Sequence, residues 1–277
     1  MDTSPLLTDR AALMRQRARA ARAPEMFLHE DASVELDERL QEVKRTFTSP
    51  ALIAAFPDPW RAVLPGAKCV LDTDILDLEP GAHDLVVHAM GLHWANDPVG
   101  QMVQAAQALK PDGLFLGVMF GGQTLNELRA ALAQAEASIT GGLSARVLPM
   151  GEIRDLGALL GRAGFALPVA DTVTRKVTYE TPLRLLSDLR AMGETNALAA
   201  RPRHFSRRDV MAEALRIYSE AYREADGRVR ATFEMVWLTG WKPHAGQQKP
   251  LRPGSAAHRL ADALGTFEIP AGDKPGR

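Results

Sequence analysis

Residues 84–122 constrain the fold of this chain more than any other stretch. They read DLVVHAMGLHWANDPVGQMVQAAQALKPDGLFLGVMFGG. An apolar run is followed by a polar turn, a segment with helical periodicity, a Lys-Pro-Asp-Gly turn and a second apolar run. Short continuous apolar runs are typical of strands that are buried on both faces of a parallel sheet. The segment therefore predicts one half of a doubly wound α/β sheet.

Strand-like and helix-like segments alternate along most of the chain, which predicts parallel βαβ units. Further strands are predicted at 51–56, 69–72, 173–179 and 232–241, and further helices at 9–46, 98–109, 124–137, 153–163, 182–192 and 208–225. We expect three parts. These are a helical segment at 1–48, an α/β domain at 49–241 that carries a helical insertion at 182–225, and a tail at 242–277.

Composition excludes several classes of protein. The net charge of −1 offers no electrostatic basis for binding nucleic acid. No apolar run reaches the ~18 residues of a membrane span. The single cysteine, Cys69, excludes an internal disulfide, and its apolar neighbours predict a buried side chain. Arginines at 10–22 predict a solvated basic helix rather than a transit peptide, and we expect a cytoplasmic bacterial protein.

Several motifs between residues 80 and 255 resemble one known family. They include LHWAND at 92–97, LKPDG at 109–113, MFGGQTL at 119–125, RAGF at 162–165, DLRAMGETN at 188–196 and ATFE at 231–234. Together they resemble the methyltransferase-like assembly factor 5 of respiratory complex I and its bacterial relatives. A more distant resemblance is to the malonyl-carrier-protein methyltransferases of biotin synthesis.

Both groups are similar to class I S-adenosyl-L-methionine (SAM) enzymes, whose sheet has seven strands with the last one antiparallel. The resemblance implies a SAM-dependent methyltransferase-like protein in which the strand at 232–241 is the reversed one. It also implies a protein substrate, such as a complex I subunit, and for the mitochondrial member the hydroxylation of an arginine. The sequence offers no pair of histidines with a carboxylate suited to the iron that such oxidation commonly uses.

The loop that should hold SAM departs from the family's pattern. In SAM enzymes the first strand runs into a loop of three spaced glycines, which let the backbone approach the cofactor. Here residues 54–59 read AAFPDP, which contains no glycine and has two prolines that cannot donate a backbone N–H. Phe56 would place a ring where the chain of the cofactor lies. The pattern predicts the loss of ordinary SAM binding.

The half of the sheet that should hold SAM is also predicted to be shortened. Only 28 residues separate Phe56 from Asp84, whereas one βαβ unit takes about 30 and the family needs roughly twice that. One βα unit is therefore predicted to be missing. Asp72 then corresponds to the family's acidic residue near adenine, or else Asp72 or Asp74 is the carboxylate that binds the ribose.

Candidate site residues follow the ends of the predicted strands, where ligands lie in open α/β sheets. For the cofactor they are Phe56, Asp72, Thr73, Met90, His93 and Trp94. For the substrate they are Met119, Phe120, Gly121, Gly122, Glu194 and Asn196. No catalytic residue and no metal ligand is predicted. Trp94 either stacks on a ligand or plugs the core, Asn96 and Asp97 cap a helix, and Glu127 lies on a solvated face.

Three hypotheses for function stay open at this point. The first is a SAM-dependent methyltransferase-like enzyme that acts on a protein and holds SAM through Asp72, His93 and the turn at 119–122. The second is a non-catalytic pseudoenzyme that has lost ordinary SAM binding and serves as an assembly or binding protein. The third is a sensor that uses a remodelled pocket for another small molecule.

Overall fold

The structure is a computed structural model that describes residues 6–247 and Gly265. The chain divides into two compact units, Met1–Pro243 and His244–Arg277. Every helix and strand given below belongs to the first unit. The predicted tail at 242–277 lies mostly outside the described residues.

Six strands of the described chain form one mixed sheet. They are β1 (Pro50–Ala54), β2 (Lys68–Val70), β3 (His83–Ala89), β4 (Leu109–Gly121), β5 (Ala166–Tyr179) and β6 (Val229–Trp241). Their order across the sheet is β2-β1-β3-β4-β6-β5. The first four are parallel, whereas β6 is antiparallel to both β4 and β5. The predicted α/β sheet with a reversed last strand is confirmed.

Seven α-helices lie within the described residues. They are α1 (Arg10–Ala20), α2 (Phe27–Val43), α3 (Pro98–Ala108), α4 (Asn126–Thr140), α5 (Ile153–Arg162), α6 (Pro182–Ala191) and α7 (Arg208–Ala221). Helices α3 and α5 pack on one face of the sheet, and α2, α4, α6 and α7 pack on the other. Helices α6 and α7 form the small insertion that precedes the last strand.

Burial on both faces explains the continuous apolar runs of the central strands. In β1, Ala51 and Ile53 pack with the layer of α3 and α5, whereas Leu52 and Ala54 pack with the opposite layer. Because successive side chains of a strand point to opposite faces, a strand between two helical layers needs apolar residues at every position.

The sheet is shortened on the side of β2. Residues 55–82 contain only β2 and a single 3₁₀ turn at Asp58–Trp60, with no α-helix among these described residues. β2 is therefore an edge strand, and the sheet has one strand fewer than the seven of the family. The predicted burial of Cys69 is wrong. Its side chain is exposed because it alternates with the inward-facing Val70 on a short edge strand.

Helix α1 lies across the carboxyl edge of the parallel strands. Leu13 of α1 packs with Trp94, which follows β3. The backbone N–H of Asp9 donates to the carbonyl of Ala197, and the N–H of Thr8 donates to the side chain of Asn96. The first helix thus covers the edge at which ligands of open α/β sheets bind.

Candidate functional site

The ends of β1, β2 and β3 bring the cofactor candidates to one edge of the sheet. Phe56 follows β1, Asp72 follows β2, and Met90 and His93 follow β3. Met90 is buried with a φ of +50°, and its backbone N–H donates to Val118 of β4. The carboxyl ends of parallel strands meet at the same edge, so these residues lie near one another as the sequence predicts.

The centre of this edge is occupied by Arg17 of α1. Its Nη1 donates to Oδ1 of Asp72 at 2.6 Å, and both side chains are more than nine-tenths buried. Arg10, also on α1, donates to the backbone carbonyl of Asp72. Asp72 Oδ2 has no hydrogen-bond partner among the described residues. The acidic residue that the sequence offers to a nucleoside is therefore bound by the chain's own arginine.

The far end of the Arg17 side chain reaches Asp72, and its stem lies beside Phe56. A Cβ added to Gly193 would lie 3.2 Å from Arg17 Cγ and 3.3 Å from the ring of Phe56. His29 of α2 packs edge-on against Phe56, with 5.9 Å between the ring centroids. Arg17, Phe56 and His29 thus lie close together at the carboxyl edge of the sheet.

Glu194 forms a second buried polar cluster beside the first. Its carboxylate accepts a hydrogen bond from Trp94 Nε1 at 2.8 Å and lies 3.1 Å from His93 Nε2. Trp94 is 2% exposed and the side chain of Glu194 is 8% exposed. Trp94 is therefore a packing residue, which agrees with the second predicted role, and also a hydrogen-bond donor, which the sequence did not predict.

Burial and neighbouring charge act in opposite directions on Glu194. Burial alone raises the pKa of its carboxyl group. The charge and hydrogen bond of His93, the charge of Arg17 and the hydrogen bond of Trp94 together hold that pKa below its ordinary value. Glu194 is thus anionic at neutral pH, and its charge is compensated by neighbours rather than by solvent.

His29 and His88 are buried near this edge and are neutral at pH 7. Burial lowers the pKa of His29 to about 4 and that of His88 to about 4. His88 Nε2 lies 2.8 Å from Oε1 of Gln101, whose amide donates to the carbonyls of Asp72 and Thr73. His88 is therefore a core residue with a structural partner.

A cavity of about 610 Å³ adjoins the filled edge on the side of the helical insertion. Trp94, Phe120, Glu194 and Asn196 line it, whereas Phe56 and Asp72 do not. Three predicted substrate residues, Phe120, Glu194 and Asn196, therefore share one cavity with the predicted cofactor residue Trp94. Asn196 also supports the loop that contains it, since its Nδ2 donates to the carbonyl of Ala145 at 2.8 Å.

The remaining candidates lie outside that cavity. Met119 and His93 line a smaller cavity of about 200 Å³, to which Phe120 also contributes. A Cβ on Gly121 would meet Val236 of β6, and one on Gly122 would meet the Glu234 carboxylate, so both glycines permit close packing against the last strand. Thr73 is exposed and its hydroxyl donates to the carbonyl of Ile75. A ligand-binding role for these residues stays a prediction.

The sequence alone did not point to Arg17 or His29 as residues of this site. The solvated basic helix predicted for residues 10–22 is wrong for Arg17, which is 7% exposed. A signal was present, because Leu13, Arg17 and Ala20 recur at helical spacing and form one buried face. Glu127 is likewise buried, and its carboxylate accepts hydrogen bonds from Thr232 of β6.

The sequence predicts that Asn96 and Asp97 cap a helix, and the structure confirms this for Asp97. The Asp97 side chain accepts a hydrogen bond from the N–H of Gly100 at the start of α3. Asn96 binds Thr8 instead, which helps to attach the segment before α1. Among the described residues, no three His, Cys, Asp or Glu side chains are grouped closely enough to hold a metal ion.

Comparisons with known proteins place these features in a family. The chain is 42% identical over 197 residues to the arginine-hydroxylase NDUFAF5 of Danio rerio, covering 71% of this chain and 61% of the relative. It is 42% identical over 193 residues to the human protein of that name, covering 70% and 56%. It is 32% identical over 206 residues to a malonyl-[acyl-carrier protein] O-methyltransferase of Halorhodospira halophila, covering 73% and 67%.

The chain belongs to the class I methyltransferase-like family. No protein-family model matches this methyltransferase-like protein. A solved phosphoethanolamine N-methyltransferase 2 of Haemonchus contortus is 13% identical, with a TM-score of 0.42 over 76% of this chain and 53% of that chain. The predicted resemblance to complex I assembly factor 5 and to the malonyl-carrier-protein methyltransferases is confirmed by the sequence identities.

Coverage limits what this methyltransferase-like protein takes over from its relatives. It spans about three-fifths of the length of the NDUFAF5 proteins that it matches, 61% and 56% for the two given above. Activity, substrate and partner are therefore matters for proposal. Within the part of the chain that the structure describes, no helix is both long and apolar enough to cross a membrane.

Proposed function

We propose that this protein is a non-catalytic member of the methyltransferase-like family that acts by binding a protein. One observation carries this proposal, namely the buried contact between Arg17 and Asp72. It occupies the edge of the sheet at which the family holds SAM, and the two prolines after β1 remove backbone donors there. SAM could enter only if Arg17 left a buried carboxylate without its partner, which is costly.

The partner that we propose is a protein subunit of respiratory complex I. Support comes from the 42% identity to proteins named NDUFAF5 and from the resemblance of the motifs at 92–97 and 188–196 to assembly factor 5. Those relatives are named arginine hydroxylases, but the site described above contains no metal-binding group to which an oxidation could be assigned. We propose a cytoplasmic location in a bacterial cell for this interaction.

Titration calorimetry with SAM tests the loss of ordinary cofactor binding. We expect no saturable heat with the full chain at micromolar concentrations. A malonyl-carrier-protein methyltransferase, titrated in parallel, serves as the positive control. Saturable one-to-one binding at micromolar concentration would overturn the proposal and favour the SAM-dependent enzyme. In that case Asp72→Ala should abolish binding while the fold is retained, as the model with Asp72, His93 and the turn at 119–122 requires.

The assembly role is tested in a bacterium that carries both this chain and complex I. Deletion of the gene should lower the amount of assembled complex I on native gels, and the full chain supplied from a plasmid should restore it. If assembled complex I is unchanged after deletion, the proposed partner is wrong, whereas the result of the SAM titration still stands.

A further inference from the structure

The cavity of about 610 Å³ has the interior of a binding site for a long apolar chain. Its size falls within the range of about 300–1,000 Å³ that small-molecule sites occupy. The walls are mainly aliphatic and aromatic side chains of α4, α6, α7 and β6, among them Leu128, Leu132, Leu189, Met211 and Phe233. Burial of a hydrocarbon chain against such a wall is favourable, because it removes apolar surface from water.

The mouth of the cavity carries cationic side chains. Arg146 and Arg201 line it, but each already pairs with a carboxylate, Glu136 at 2.8 Å and Asp9 at 2.9 Å. Arg190 of α6 also lines it and is exposed. The Arg190 guanidinium makes no hydrogen bond or ion pair with any residue that the structure describes. One arginine at the mouth is therefore available to an anion.

The acidic group among the lining residues is not at the mouth. Glu194 is buried beside Trp94 and His93, which already bind its carboxylate. An anionic head group placed next to Glu194 would be repelled, whereas one placed at Arg190 would be attracted. Charge therefore orients a ligand with its apolar chain inward and its acid outward.

We propose that this cavity binds an amphipathic anion, an alkyl chain that ends in a carboxylate or phosphate held by Arg190. The chain lies against the aliphatic wall formed by α4, α6 and α7, and the head group lies at the surface. A free fatty acid and a phosphorylated lipid share this chemistry. The inference goes beyond the proposed assembly function and does not depend on whether SAM binds.

Calorimetric titration of the full chain with octanoate, decanoate and dodecanoate, each below its micelle concentration, tests the apolar interior. We expect one site per chain. Affinity should rise about fourfold per added methylene, which corresponds to about 0.8 kcal/mol. Dodecyl phosphate is titrated in the same way as dodecanoate. Tighter binding of one head group or the other distinguishes a phosphorylated lipid from a free fatty acid. Dodecyltrimethylammonium should bind at least about tenfold more weakly than either.

Charge variants on α6 test the role of Arg190. Arg190→Glu should weaken dodecanoate binding at least about tenfold, because a charge-assisted hydrogen bond is lost and a repulsion is added. Arg184→Glu is the matched control, since Arg184 is exposed on the same helix but does not line the cavity. It should change affinity less than twofold. Ser187→Trp, at an exposed lining position, should block the mouth and abolish binding.

Several results would overturn the inference. One is the absence of saturable binding for all three carboxylates with the wild-type chain. Another is an affinity that does not depend on chain length. Equal losses in Arg190→Glu and Arg184→Glu, or equally tight binding of the trimethylammonium compound, would show that Arg190 does not select the anion. Circular dichroism of each variant separates lost binding from lost folding.

Discussion

Arg17 and Asp72 form a buried ion pair between the first helix and the end of β2, with 2.6 Å between Nη1 and Oδ1. The pair joins residues 55 positions apart in the chain. It attaches α1 to the edge of the sheet that a SAM-binding enzyme leaves open. The contact therefore helps to determine how the N-terminal helix docks on the sheet.

Replacing Arg17 tests the energetic importance of this pair. Arg17→Met should lower the free energy of unfolding by up to about 3–5 kcal/mol, because Asp72 would stay buried with only the 3.8 Å contact to Arg10 as counter-charge. Urea denaturation measures the change, and Arg19→Met, at an exposed position of the same helix, is the control. The double variant Arg17→Met with Asp72→Leu should recover much of the loss. A single variant as stable as the parent would contradict a buried charge at Asp72.

Substitution of Gly193 tests how closely Arg17 and Phe56 pack against it. Gly193→Ala should destabilise the protein by more than Gly164→Ala. Both glycines have a positive φ, +79° and +85°, but only the new Cβ at Gly193 would meet neighbours within 4 Å. The shared backbone strain costs about 1 kcal/mol, and contact with the two side chains adds to it. Equal urea midpoints for the two variants would show that the space beside Phe56 is not filled.

The pH dependence of stability should reflect His29. Its pKa in the folded chain is about 4, below the ordinary value of 6.5, because burial disfavours the charged ring. Between these values the unfolded chain binds a proton that the folded chain does not. Stability therefore falls as the pH decreases from about 6.5 to about 4, by roughly 1.4 kcal/mol per pH unit for each such histidine.

His29→Phe isolates that contribution. Both ring nitrogens of His29 lack partners among the described residues, so Phe should cost no stability at pH 7 and can raise it. The slope of unfolding free energy against pH should decrease by roughly one proton, leaving the part due to His88. Urea titrations at pH 7, 6 and 5 measure the slope. An unchanged slope in the variant would show that His29 is not buried in its neutral form.

Trp94 supports the buried charge of Glu194. Trp94→Phe should lower the free energy of unfolding by about 1.5–3 kcal/mol, because the largely buried carboxylate loses its 2.8 Å hydrogen bond. Trp241→Phe is the control, since Trp241 is a partly buried indole at the far end of β6. If the two variants lose the same stability, the Trp94–Glu194 bond contributes nothing beyond ring packing.

The fold was largely predictable because its signals are local. The apolar runs of β1, β3 and β4 follow from burial on two faces, and Pro98 with Asp97 marks the start of α3. The strand β5 was predicted only from residue 173, whereas it begins at Ala166. Its first half has three successive exposed residues at 167–169 and a shift in register against β6, so the alternating pattern of a strand is broken there.

The candidate site was predictable only in part. The sequence correctly predicted that Asp72, His93 and Phe56 lie at one edge of the sheet, because each follows a strand and parallel strands share a direction. The partner of Asp72 was not predictable from spacing, since Arg17 reaches it through the docking of a separate helix. Glu194 similarly meets Trp94 across 100 residues. Such contacts depend on how layers pack rather than on any local pattern.

The sequence by itself determined the shortened α/β sheet, the reversed last strand, the glycine-free loop after β1 and the family. These follow from periodicity, from backbone chemistry and from motifs that are contiguous in the chain. Only the tertiary structure decided that Arg17 pairs with Asp72 at the carboxyl edge of the parallel strands and that an apolar cavity is lined by α6 and α7. The physical reason is that the burial of a charged side chain depends on a partner far away in sequence, and packing alone selects that partner.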